Sequence, residues 1–107
     1  MTNDETLGGY VETHHSPPAF LGPDGLSYSA EVYIDEEAQT DGRFGAAVLF
    51  IRWSESGSQP EGHLETGYVA HGDTREVAKS IAERLTLFEI KEHLDRLVEE
   101  SKERPAW

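Results

Sequence analysis

A chain of 107 residues suffices for one hydrophobic core and is short for two domains. It contains no cysteine, which removes disulfides, thiolate nucleophiles and every cysteine-bearing zinc motif. Its 21 acidic residues against 9 basic ones give a formal net charge of −12, the wrong sign for gripping a phosphate backbone or an anionic membrane surface.

Residues 1–25 lack sustained periodicity. Gly8-Gly9, Ser16-Pro17-Pro18 and Gly22-Pro23-Asp24-Gly25 are turn and breaker signals. This stretch is expected to be an irregular N-terminal arm, pinned to the body by Phe20 and Leu21. The start, Met-Thr-Asn-Asp-Glu, has no basic-then-apolar signal form, and no segment approaches the ~18 apolar residues of a membrane span. A cytoplasmic location with no membrane partner is therefore expected.

A single α+β domain is expected over 26–104. Its first strand, about 27–36, alternates cleanly: Tyr28, Ala30, Val32 and Ile34 point one way, and Ser29, Glu31, Tyr33 and Asp35 the other. Asp41-Gly42 supplies positions suited to a hairpin turn. The second strand, about 43–54, is apolar on both faces, with Phe44, Ala46, Val48 and Phe50 on one and Ala47, Leu49, Ile51 and Trp53 on the other, so it should be central. A third strand, about 62–71, alternates less sharply, placing Leu64, Thr66, Tyr68 and Ala70 together. The three runs predict an antiparallel meander.

Two C-terminal helices, about 74–85 and 87–103, are expected to pack on one sheet face. Asp73-Thr74-Arg75-Glu76 reads as a capping box with Asp73 at the cap, and Val77, Ile81, Leu85 and Phe88 form one apolar stripe. Leu87, Ile90, Leu94, Leu97 and Val98 lie on a different side. One straight helix cannot bury both stripes, and Thr86-Leu87-Phe88-Glu89 is a second capping box at the change of phase. A break near Leu85–Thr86 follows. Pairs Glu92/Arg96 and Glu100/Arg104 support the second helix, Pro105 ends it, and Trp107 belongs to the tail.

Helices on one side leave the second face of the central strand bare, with Tyr33 and Val69 as further members. An apolar face of that size calls for a cover. The candidates are the arm, a second copy in a homodimer, or a different protein.

Chemistry-bearing constellations are sparse. His63 and His71 are eight residues apart, about 27 Å along an extended strand, so they cannot share an ion, and neither HExxH nor paired histidine spacing occurs. No phosphate-binding glycine loop, cofactor motif or Gly-x-Ser-x-Gly elbow is present. No catalytic, metal or cofactor-binding residues are therefore assigned. The aromatic residues of the sheet lack the basic groove that single-strand nucleic-acid binding requires.

Residues 1–72 carry −10 of the −12 net charge. An acid-rich surface with only Lys79, Lys91 and Lys102 as lysines suits adaptation to high salt, and it equally suits docking of a basic partner. The segment Gly67-Tyr68-Val69-Ala70-His71-Gly72-Asp73-Thr74-Arg75-Glu76-Val77-Ala78 resembles the strand-to-helix junction of HicB-like antitoxins. That resemblance implies binding of a basic toxin. The Pro-and-Gly segment usual between the second and third strands of that family is not evident here, and a DNA-binding domain is not expected within these residues.

The expected function is thus protein–protein contact without catalysis, by self-association or by docking a basic protein, with Glu31, Tyr33, Asp35 and Glu65 as partner-binding residues. The alternatives are a small ligand-binding domain or enzyme with a cleft between arm and sheet, using His63 and Glu65, and an antitoxin-like or nucleic-acid-mimicking inhibitor.

Overall fold

The computed structural model describes residues 5–102. Its elements are α1 (Leu7–His14), β1 (Ala19–Leu21), β2 (Ser27–Ile34), β3 (Phe44–Trp53), β4 (Pro60–Glu65), β5 (Ala70–Gly72), α2 (Arg75–Ala82) and α3 (Leu87–Lys102). The fold is α+β. The antiparallel sheet runs β1-β2-β3-β4, with β5 also paired to β3, and α2 and α3 follow it.

The period of two in β2 and the double apolarity of β3 set the layers. The register runs from Tyr28↔Arg52 through Ala30↔Phe50 and Val32↔Val48 to Ile34↔Ala46. Directly opposed residues share a face, so Tyr28, Ala30, Val32 and Ile34 join Phe50, Val48 and Ala46. Against this face α3 sets Ile90, Leu94 and Val98, all fully buried. At the other end Ala78 and Ala82 of α2 meet Ala46 and Ala70. Within this core the Tyr28 hydroxyl donates to Asp24 Oδ2 at 2.7 Å. Burial and that carboxylate push its pKa up to about 12.

Within the expected N-terminal arm the described residues form α1 and β1 rather than an irregular segment. Thr6 caps α1 by accepting from the Gly9 N–H at 3.0 Å, and Leu7 is fully buried in the main core. Gly8-Gly9 weakens any intrinsic helix preference, so tertiary contacts hold this helix. The Leu7 and Gly8 amides donate to the carbonyls of Leu85 and Glu83, at 2.8 and 3.0 Å. The close approach needs glycine, because a Cβ at Gly8 would lie 2.9 Å from Glu83 Cβ. Phe20 packs inward from β1, whereas Leu21 is 66% exposed and pins nothing. The segment's described residues therefore belong to the helix layer and do not cover the second sheet face.

The expected third strand is two strands. At the break the Thr66 N–H donates to the Val48 carbonyl at 3.0 Å, and the Val48 N–H donates to Thr66 Oγ1 at 2.9 Å. A side-chain oxygen replaces a ladder carbonyl, so β3 stays hydrogen-bonded while its neighbour bends away. Pairing resumes where the Val69 N–H donates to Ala46 O. The bend changes the phase of the alternation: Val69 enters the core, and Tyr68 leaves the Leu64 and Ala70 side.

The helix break is where the capping boxes place it. Thr86 N–H donates to Glu89 Oε1 at 2.9 Å and Glu89 N–H to Thr86 Oγ1 at 3.1 Å, the reciprocal pair of a capping box. The first helix is capped by Thr74 rather than Asp73, since the extended backbone at Thr74 lets its Oγ1 accept from Val77 N–H at 3.1 Å. The buried stripe also differs. Ala78 and Ala82 face the sheet, while Val77 and Phe88 are 45% and 59% exposed. Small residues win because β5 and α2 approach too closely for larger ones. Arg104, Pro105 and Trp107 lie outside the described residues.

That approach is testable. A Cβ at Gly72 would lie 2.5 Å from the backbone nitrogen of Ala78. Gly72→Ala is expected to cost about 1–3 kcal/mol in denaturant unfolding, the usual cost of overpacking. An unchanged midpoint would show that the junction is looser than described.

Candidate functional site

The face of the sheet turned away from the helices is built by the odd-numbered residues of β2 and β3. The register sets Glu31 beside Leu49, and Leu49 beside Glu65 of β4. The next row is Ser29, Ile51 and His63, and toward the other end Tyr33 lies beside Ala47. Glu31 and Glu65 therefore flank Leu49 from the two neighbouring strands, about 10 Å from each other at ordinary strand spacing. None of the strand residues on this face is lysine or arginine, whereas Lys79, Lys91, Arg96 and Lys102 sit on α2 and α3.

Two aromatic side chains organise the ends of the face. The Trp53 indole N–H donates to Ser29 Oγ at 3.0 Å. Tyr68, thrown onto this face by the β4–β5 break, covers Gly45, where a Cβ would lie 2.5 Å from its ring. Its hydroxyl donates to the Asp35 carboxylate, and His71 meets the ring edge-on with centroids 5.3 Å apart. The hydrogen bond to Asp35, then desolvation, then the carboxylate's charge raise the Tyr68 pKa above the ordinary phenol range. Between these ends Leu49 and Ile51 are half-buried, and Tyr33 is 47% exposed.

All four expected partner-binding residues, Glu31, Tyr33, Asp35 and Glu65, are on this face. Glu31 and Glu65 form one row and Tyr33 stands at the β2 edge, but Asp35 is already engaged by Tyr68. Tyr68 itself escapes the alternation pattern. The one trace of its placement in the sequence is Gly67, which interrupts the third apolar run just before it.

The cleft between the N-terminal segment and the sheet exists. It encloses about 270 Å³ among Leu7, Val11, Pro17, Val32, Lys79 and Glu83. His63 and Glu65 are not in it. They border a separate hollow of about 190 Å³ beside Leu97 and Glu100, because β4 is two strands away from β2. A third hollow, about 290 Å³, lies by Thr66, Tyr68 and Arg96. His93 on its wall has a lowered pKa, through desolvation first and then the Arg96 charge. Among the described residues no three His, Asp or Glu side chains converge as metal ligands, and no helix is long and apolar enough to cross a membrane.

No family model matches the chain, and no curated protein or solved structure matches it either. The resemblance to HicB-like antitoxins thus rests on the β5–α2 junction alone, where Thr74 caps the helix after a three-residue strand.

Because the folded pKa of Tyr68 is raised, its hydrogen bond to Asp35 is fully present below the ordinary phenol pKa of about 10 and is lost as pH rises through the raised value. Tyr68 should titrate above an ordinary tyrosine in NMR-monitored titration. Gly45→Ala should push the ring away and return it to the ordinary range. Equal titration in both proteins would show that the ring does not depend on Gly45.

Proposed function

We propose that this chain is a non-catalytic protein-contact domain that docks a basic partner on its helix-free sheet face. The observation that carries the reading is the row Glu31–Leu49–Glu65: an apolar side chain left half open between two carboxylates, on the face opposite the one packed by the helices. A strand apolar on both faces needs cover on both, and the described residues supply cover on one. Desolvated aliphatic and aromatic groups inside a charged rim suit a specific contact. Lysine or arginine side chains from a partner would complement Glu31 and Glu65 and speed encounter.

A second copy of the chain suits this face less well. Face-to-face packing would bring acidic rows together with no lysine or arginine on either strand surface to offset them.

The test is affinity capture from the source lysate at low salt, with identification of what is retained. A basic protein should be held by the wild-type chain, released by added salt, and lost with Ile51→Glu. Capture that is the same for wild type and Ile51→Glu, or no basic protein at all, would overturn the reading.

A further inference from the structure

The sheet has a second unfinished feature, at the edge of β2. The Asp35 N–H donates to Gly45 O on the β3 side, and the Ala30 N–H donates to Pro18 O on the β1 side. In an antiparallel ladder these directions alternate. The odd residues of β2 thus bond to β3, and the even ones point outward. β1 pairs only with Ser27–Ser29, and beyond Pro18 the chain turns away toward α1. Among the described residues no strand lies beside Val32 and Ile34, and no hydrogen-bond partner is found there for their outward N–H and C=O groups. The cleft bounded by Leu7, Val11 and Val32 runs along the helix side of this edge. Tyr33 and Asp35 lie toward the other side, as does the side of Glu31 that faces Leu49, although Glu31 also borders the cleft.

We infer that the free edge of β2 at Val32–Ile34 accepts an extended basic segment of the partner protein, which adds a strand to the sheet. This rests on the protein-contact function proposed above and specifies how the partner reaches the acidic face. An added strand would satisfy the outward backbone groups. Its alternate side chains would fall on opposite sides: apolar ones toward the cleft, basic ones toward Glu31.

Charge decides between this occupant and a second copy. Two β2 edges paired about Tyr33 would set Glu31 directly opposite the partner copy's Asp35, and like charges opposed across a ladder destabilise it. Pairing about Val32 would need the space beside Ala30, which Pro18 already occupies. A strand with Lys or Arg at those positions meets neither obstacle.

The probe is the peptide acetyl-(Lys-Val)4-amide, titrated at low salt while amide exchange is followed by NMR. Before peptide is added, Val32 and Ile34 should exchange faster than Tyr33, whose amide bonds to β3. At saturation both should slow by at least about tenfold. Glu31→Gln should weaken the peptide by about threefold, the scale of a cross-strand charge pair. Glu55→Gln, an equal change of net charge in the exposed β3–β4 loop, should leave affinity unchanged. Peptide-induced shifts at Leu49, Ile51 and the Trp53 indole, without protection of Val32 and Ile34, would overturn the edge proposal and leave the face reading standing. Absence of binding at millimolar peptide would also overturn the edge proposal, while capture sensitive to Ile51→Glu would still uphold the face.

Discussion

Strand β3 is hydrogen-bonded on both flanks and apolar on both faces, and the other elements are placed by how they meet it. β2 covers one flank from Ala46 to Arg52. On the other flank β4 and β5 take the two ends, and Thr66 spans the gap with one backbone and one side-chain bond to Val48. On one face Val48 and Phe50 are sealed by α3, and Ala46 by α2. On the other, Leu49 and Ile51 lie between β2 and β4 and stay half-buried. The physical demand that carries the functional proposal is this asymmetry, because burial of apolar surface is the main favourable term in folding and in association alike.

The charge distribution follows the same division. The helix layer mixes acids with Lys79, Lys91, Arg96 and Lys102, including the i,i+4 pair of Lys91 with Asp95. The strand residues of the open face contribute acids and histidines but no lysine or arginine. Glu31 and Glu65 thus border the unfinished apolar surface with no strand lysine or arginine beside them. A neutral apolar face would invite self-association, whereas acidic flanks oppose it and favour a partner of opposite sign.

Much of this was legible in the residue pattern, for identifiable reasons. The strict alternation from Tyr28 to Asp35 and the double apolarity from Phe44 to Trp53 are strong period-two signals, and the bounds of β2 and β3 follow them closely. The change of stripe at Leu85–Thr86, together with a capping box, located the boundary between α2 and α3. What local pattern could not carry depended on distant contacts. α1 is a glycine-containing helix held by Leu85, Glu83 and the core around Leu7, none of which is near it in sequence. The break between β4 and β5 depends on a threonine hydroxyl substituting for a backbone carbonyl. That substitution moved Tyr68 to the open face and Val69 into the core. Glu31, Tyr33 and Glu65 were readable as face residues because β2 and β4 keep their alternation, whereas the union of Asp35 with Tyr68 required the fold.

The central claim is that the helix-free face is kept open for a basic partner rather than closed by the chain itself or by its own copy. Solution mass by light scattering, at low and high salt, tests it most directly. The account predicts a particle of 11.9 kDa at both. A stable particle of twice that mass at both salts would contradict it, since a second copy would then occupy surface that the acidic rows are argued to reserve.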